Sequence, residues 1–271
     1  MSYKQYPVHP FLQKWIRYFW SYDVYTEQVQ SLHIRSFADR FPRLIFQDIR
    51  SSSLIKEKDG VHKPICYLSG IDTQPSDAFW ESRFSHFGIS FHPHGLHALF
   101  GISAHEVTNQ TPDLQWIIKE EITSLLLNTV RHEEKINHLE HYFYNKIASQ
   151  KIDWIINEIV HTQSLDQFAC EKNLFLLAKK YHLSERQLQR RFKQSIGISA
   201  RKFSQLIQFE KSLQQLSSAH YGDLTRIAHQ LEYADQAHFN REFKAFSGLT
   251  PYEFIRTKTI GSESASFIYI A

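Results

Sequence analysis

Cysteine is scarce: Cys66 and Cys170, 104 positions apart, are the only two in 271 residues. That excludes a disulfide scaffold and leaves no C-x-x-C pair for zinc or redox chemistry. The expectation is two free, buried thiols in a reducing compartment. No run of about 18 apolar residues occurs, so no spanning helix is expected. The opening MSYKQYPVHPFLQKWIRYFW lacks the unbroken apolar stretch and small-residue cleavage site of a signal peptide. A cytoplasmic protein with no membrane partner is expected. Gly-rich phosphate loops and G-x-S-x-G elbows are missing too. The chain therefore reads as no enzyme and as needing no cofactor.

What is present is an ordinary globular composition, 42% apolar, 14% aromatic and 22% charged, long enough for two domains. The net charge of +3 is unevenly spread. Residues 165–260 carry 15 Lys/Arg against 9 Asp/Glu, whereas residues 1–164 carry 16 against 18. A basic C-terminal portion suits a phosphate-bearing partner, although a solvated helical face would look the same.

Along the chain, residues 1–112 read as β-rich. Phe41–Asp48 and Glu81–Pro93 have strand-like content with partial alternation. Asp59-Gly60 is a hairpin signal between its flanking runs. A helix over Pro10–Tyr18 is expected to precede the strands, since proline fits a first turn. Such short, punctuated strands favour a barrel or sandwich. Residues 113–164 change to helical periodicity. Asp113 is placed to cap one helix through Val130, with Leu114, Ile117, Ile118, Ile122, Leu125 and Leu126 on its apolar face. A second helix over Glu133–Ala148 buries Ile136, Leu139, Phe143 and Ile147. This connector can pack on the β domain, pair two subunits, or both. Gln163–Asp166 reads as the join to residues 165–258, which are helices with short turns. The tail, 259–271, is polar until FIYIA, and is either loose or adds to something. The fold class is thus α+β.

The C-terminal region repeats itself. Leu183–Phe203 and Ala234–Phe254, offset by 51 positions, share Arg190/Arg241, Phe192/Phe243, Lys193/Lys244, Gly197/Gly248 and Phe203/Phe254, with Ser199/Thr250 similar. On a helix, Leu188 and Phe192 face inward while Arg186, Gln189, Arg190 and Lys193 share the opposite face. In the second copy Phe239 and Phe243 face in, and Ala237, Asn240, Arg241 and Lys244 face out. Arg, Gln and Asn match base edges in the major groove, and lysine at the helix end suits phosphate. A single helix of this kind is unremarkable in any bundle. Two in tandem, each followed by a Gly-x-Ser/Thr turn, suggest two DNA-reading heads.

Residues 165–258 resemble the DNA-binding domain of AraC/XylS-type bacterial transcription regulators. The resemblance rests on Leu177-Ala178, Leu183-Ser184, Arg186, Leu188, Arg190, Phe192-Lys193 and Gly197-Ile198-Ser199. It continues through Ile227-Ala228, Tyr233, Asp235-Gln236, His238-Phe239, Arg241, Phe243-Lys244, Gly248, Thr250-Pro251 and Phe254. It implies two helix-turn-helix units joined by one helix, entering successive major grooves. The DNA-contacting positions it implies are Arg186, Gln187, Gln189, Arg190, Lys193, Gln236, Ala237, His238, Asn240, Arg241 and Lys244. Three positions depart from the pattern: Ala200 stands for proline, Gln208 for arginine and Glu232 for glycine. Glutamate at Glu232 must either adopt a positive φ or change the turn, so the second head is where weaker or unusual DNA contact is expected. Phe41–Phe46, Leu68–Pro75 and Gly88–Val107 resemble, more loosely, the cupin-related sensor domains found with this DNA-binding domain. Such domains bind a small effector or dimerise. The implied protein is a transcription regulator, commonly an activator, with double-stranded DNA and RNA polymerase as partners, and with a small-molecule effector or homodimer formation as its control.

His86, His92, His94, His97 and His105 crowd one region. An H-x-H pair in a strand puts two rings on one face, at metal-ligand reach, but Pro93 interrupts the strand and no nearby Glu completes an obvious set. A metal centre, a polar ligand pocket and ordinary hydrogen-bonded histidines all remain open. Two alternatives to the regulator follow: a cupin-type metal enzyme, and a helical interaction protein without DNA binding.

Overall fold

The computed structural model describes residues 2–24, 32–51, 54–80, 83–118, 122–149, 152–161, 171–217, 224–257 and 267–270. Among the described residues, eight strands are drawn from the N-terminal portion: β1 (Ser2–Tyr6), β2 (Ile16–Val24), β3 (Leu32–Ser36), β4 (Arg43–Gln47), β5 (Lys56–Glu57), β6 (Cys66–Ser69), β7 (Ser76–Trp80) and β8 (Phe84–Phe91). A ninth, β9 (Phe267–Ile270), comes from the far end of the chain. They form two antiparallel sheets, ordered β1-β2-β8-β4-β6 and β5-β7-β3-β9. The strand content of Phe41–Asp48 and Glu81–Pro93 thus becomes β4 and β8, which pair with each other at the middle of the first sheet.

The expected helix over Pro10–Tyr18 does not form. Proline starts only a 3-10 turn, Pro10–Leu12, and Ile16 opens β2. The run from Ile16 to Trp20 is aromatic and β-branched, and pairing with β1 on one side and β8 on the other satisfies its backbone. Asp59-Gly60 does form its turn, with Gly60 at φ +84° and its N–H donating to the Glu57 carbonyl at 2.9 Å. The immediate flanks pair across it as a hairpin, with Lys56 bridged to His62, the Glu57 N–H donating to the Val61 carbonyl at 2.8 Å and the Lys63 N–H to the Ile55 carbonyl at 2.9 Å. Beyond it β5 pairs with β7, and β6 with β4. Asp113 caps a 3-10 turn, Leu114–Trp116, and not a long helix. Its backbone bridge to Tyr67 holds the segment along the sheet edge first, and α2 (Ile122–Asn128) starts afresh. The apolar positions keep their role, since Leu114, Ile118, Ile122 and Leu126 are buried beside the first sheet.

Helices α1 (Gly95–Phe100) and α3 (His132–Ser149) join α2 on that sheet. In α3, Ile136, Leu139, Phe143 and Ile147 are buried as their spacing predicts. The next helix, α4 (Trp154–His161), is not legible in that reading. Asp153 caps it, accepting from the N–H of Ile155 at 3.2 Å and of Ile156 at 3.4 Å. Its Ile155, Ile156, Ile159 and Val160 enter the core of the C-terminal helices. Those are α5 (Glu171–Lys180), α6 (Glu185–Ile196), α7 (Ala200–Ser217), α8 (Leu224–Gln230), α9 (Gln236–Ser247) and α10 (Pro251–Arg256). Gln163–Asp166 and Cys170 lie outside the described residues. Cys66 is a free, buried thiol, pushed up to about 12 by burial.

Candidate nucleic-acid interface

Two helix-turn-helix units emerge from the repeat: α5-turn-α6 and α8-turn-α9, with α7 between them. Their turns have the same bonding. The Leu183 N–H donates to the Ala178 carbonyl at 2.9 Å, and the Tyr233 N–H to the Ala228 carbonyl at 2.9 Å. His182 and Glu232 take the corresponding left-handed position, at φ +52° and +61°. Glu232 therefore keeps the turn and adopts the strained conformation, and a non-glycine residue does the same in the first unit. The copies are 50 positions apart through this turn and 51 after it, because Ala234 is an extra residue before the second N-cap.

Each reading helix starts on a side-chain cap. The Ser184 hydroxyl accepts from the Gln187 N–H, and Gln187 Oε1 accepts from the Ser184 N–H at 2.8 Å, a capping box. In the second unit the Asp235 carboxylate accepts from the His238 N–H at 2.6 Å. Each ends at a left-handed glycine, Gly197 at φ +100° and Gly248 at φ +76°. Leu188 and Phe192 in α6, and Phe239 and Phe243 in α9, are fully buried.

The outward rows are laid out as their spacing predicts in the first unit. Arg186, Gln189, Arg190 and Lys193 are exposed; Gln187 is exposed too, but its carbonyl oxygen serves the cap. Arg191, between these rows, pins α6 to α4 through Asp153 at 3.3 Å. In the second unit Ala237, Arg241 and Lys244 are exposed, while Gln236, His238 and Asn240 are half-buried. Gln236 Oε1 accepts from the Thr225 hydroxyl at 3.0 Å. His238 Nε2 meets Glu242 at 3.2 Å, and its ring stands edge-on to Tyr233. Glu242 also accepts from Gln205 Nε2 at 3.2 Å, and burial raises its carboxyl pKa against the pull of His238 and Lys202. The first head is the more cationic, and the second carries an acidic residue within its half-buried flank.

Of the other departures, Gln208 donates to the Leu231 carbonyl at the end of α8. Ala200 opens α7 after Ser199, whose hydroxyl accepts from the Lys202 N–H at 3.2 Å, as Thr250 does from Glu253 ahead of Pro251. The capping boxes S-x-x-Q and T-x-x-E were available in the sequence. The Arg191–Asp153 pair was not, because it joins residues 38 apart in the chain.

Both reading helices touch the β domain with their C-terminal ends. The Thr108 hydroxyl donates to the Gly197 carbonyl at 3.2 Å, and the Ala38 N–H donates to the Phe246 carbonyl at 2.8 Å. Arg40 reaches Glu210 of α7 at 2.8 Å. The capped N-terminal ends, which reach base edges in known helix-turn-helix docking, are not engaged by these contacts.

The histidines do not gather. His92 and His94 follow β8, with ring centroids 6.5 Å apart. His94 Nε2 meets Asn157 Oδ1 at 2.9 Å, His97 Nδ1 meets the Ile102 carbonyl at 2.7 Å, and His105 Nδ1 meets the Ser103 hydroxyl at 2.7 Å. His86 is buried in β8, stacked on Phe84, and burial drives its imidazole down to about 3. Among the described residues no three His, Cys, Asp or Glu side chains converge as a metal site, and no helix is long and apolar enough to cross a membrane. The β domain holds a cavity of about 430 Å³, lined by rings that include Tyr3, Trp20, Tyr22, Tyr67 and Trp80.

Residues 177–257 match the family described as a helix-turn-helix domain. Residues 4–113 match a family described as a domain of unknown function. No curated protein matches the chain. Solved structures similar to it include ToxT from Vibrio cholerae, at 11% identity over 88% of this chain and 97% of that one, with a TM-score of 0.43. Another is ToxT from Vibrio cholerae O395, at 12% identity over 88% and 96%, with a TM-score of 0.40.

Proposed function

We propose, from a C-terminal domain of the AraC/XylS helix-turn-helix type, that this DNA-binding transcription regulator reads two successive major grooves with α6 and α9. The observation that carries the reading is the pair of units with identically bonded turns, each presenting exposed basic residues, Arg186, Arg190 and Lys193 in one and Arg241 and Lys244 in the other, from a glycine-terminated helix. Arg186, Gln189 and Arg190 supply base readout in the first groove, with Gln187 confined to its cap. Gln236, Asn240 and Arg241 do so in the second, flanked by Ala237 and His238. Lys193 and Lys244, in the last turns, meet phosphate. Affinity is then strongly salt-dependent.

Residues 1–112 serve as the sensor and 113–164 as a connector open to dimerisation. The cavity receives a small effector. RNA polymerase is the expected partner in an activating role, in the cytoplasm. The test is binding of the full chain to its own upstream DNA, followed by fluorescence anisotropy against a scrambled duplex at two salt concentrations. Equal affinity for the two duplexes overturns sequence-specific reading, and no binding to either overturns the function.

A further inference from the structure

The end of the chain returns to the sensor. β9 lies at an edge of the second sheet, antiparallel to β3, with Ile34 opposite Tyr269, Arg35 opposite Ile268 and Ser36 opposite Phe267. Alternation sends successive side chains of a strand to opposite faces, and here the two faces have different neighbours. Phe267 lines the cavity. Phe267 and Tyr269 both pack on the small core of Tyr22, Ile34, Ile55, Trp80 and Phe84, and the Tyr269 hydroxyl bonds to that of Tyr22, itself a cavity wall. Ile268, only 2% exposed, belongs to the core of the DNA-binding helices, together with Phe37 and Ala38. β3 is divided in the same way. Ile34 and Ser36 line the cavity, whereas Arg35 sits against Gly248 at the end of α9, where an added Cβ would stand 3.5 Å from its Cδ. One layer of two strands therefore separates the cavity from the second reading unit.

The walls also describe the occupant. Seven aromatic rings face the cavity, and most of its charged groups are already paired. Arg43 pairs with Asp39, Lys63 with Glu57 at 3.1 Å, and Asp77 with Arg35 at 2.9 Å. The Asp72 carboxyl, which accepts from the Ser69 hydroxyl at 3.4 Å, is pushed up to about 6 by burial, while Lys58 stands exposed at the rim. An ionised ligand inside the cavity would compete with these pairs or meet Asp72, whose charged form burial already disfavours, whereas a flat neutral ring needs only stacking and peripheral hydroxyls.

We propose that the cavity binds an uncharged aromatic molecule and that β9 is both a wall of that site and its link to the DNA-binding domain. The occupant stacks against Phe267, and Ile268 on the opposite face carries any shift of the strand into the core that holds α9. This rests on the reading of the cavity as the effector site.

The test uses the full chain and N-phenyl-1-naphthylamine, a neutral aromatic that brightens on leaving water, with amide exchange followed by mass spectrometry. Wild type binds the probe, and Ala78→Trp, which fills the cavity, abolishes binding. Phe267→Ala weakens it roughly fivefold, the loss of one ring contact; Phe267→Leu replaces it should the alanine variant unfold. The probe slows exchange in residues 267–270 and alters it in α9. Ile268→Ser keeps the probe affinity but removes the response in α9. If Ala78→Trp blocks the probe, yet Phe267→Ala binds it as wild type does and exchange in 267–270 is unchanged, the role of β9 is overturned and the cavity reading stands. If folded wild type binds no probe, or Ala78→Trp binds it equally, the cavity reading falls and this proposal with it.

Discussion

Gln187 and Gln189 sit two positions apart on α6 and have different neighbours. Gln187 closes the capping box with Ser184, while Gln189 faces solvent beside Arg186 and Arg190. Gln187→Ala should lower stability by about 0.5–1 kcal/mol and leave the preference for specific over scrambled DNA intact. Gln189→Ala should do the reverse. Chemical denaturation and anisotropy on both variants separate the roles. For Arg190→Ala and Arg241→Ala the expected loss is about 1–3 kcal/mol on the specific duplex and far less on scrambled DNA. Equal loss on both would assign those arginines to phosphate.

Glu210 is sensitive to pH near neutrality. Burial pushes its carboxyl up to about 7, against the pull of Arg40, although the side chain keeps 21% exposure. A carboxyl whose folded pKa is raised contributes stability that is full below its unfolded value of about 4.3 and is lost as pH rises through about 7. His86 acts in the opposite sense. Its folded value is lowered to about 3, so its contribution is present above about 6.5 and fades as pH falls. The informative quantity is therefore the difference between wild type and Glu210→Gln. That difference should favour wild type increasingly as pH falls from 8 to 5, by up to roughly 2 kcal/mol, in urea midpoints taken across that range. A pH-independent difference would show that Arg40 holds the carboxylate ionised throughout.

At the scale of elements, the two C-terminal glycines look interchangeable in sequence and are not so in structure. A Cβ on Gly248 would come no nearer than 3.4 Å to Pro75 and 3.5 Å to Arg35, ordinary van der Waals contact. On Gly197 it would stand 2.5 Å from Thr108 Oγ1 and 2.8 Å from the Ala104 carbonyl oxygen. Gly248→Ala should cost about 1 kcal/mol for its left-handed backbone, and Gly197→Ala about 2–3 kcal/mol, because overpacking against backbone is added. Thermal or urea unfolding gives the ranking directly. The helices of both units were legible because caps, glycine ends and an inward apolar row are local signals. The helix expected over Pro10–Tyr18 failed for the complementary reason: its local proline signal ends after one turn, and pairing with β1 and β8, distant in sequence, decides the rest. The Asp113 segment was broken by a similar non-local bridge, to Tyr67.

Over the whole molecule, the β domain holds the C-terminal end of each reading helix, through Thr108 on one side and Ala38 on the other. If α6 and α9 read two successive grooves as proposed, two heads fixed to one body should accept only one spacing between their sites. Lengthening the DNA between them by two base pairs should weaken wild-type binding sharply. Thr108→Val, which removes the bond to Gly197, should tolerate the longer spacer better relative to its own optimum. Equal sensitivity in both would place the rigidity in α7.

What the sequence determined by itself is the duplicated unit, its polar rows and its basic surroundings, because a helix-turn-helix is specified within about 20 residues by period, caps and turns. Even the strained turn was foreseeable, since Glu232 stands where a left-handed residue is needed. Only the tertiary structure decided that Phe267–Ile270 become a strand of the second sheet, that Gln187 serves a cap, and that Glu210 is buried against Arg40. The tail and the Glu210 pair join segments 170 or more residues apart. Their free energy comes from burial and pairing that no local pattern records, and strand pairing in particular accepts any partner whose alternation matches the two faces it must fill.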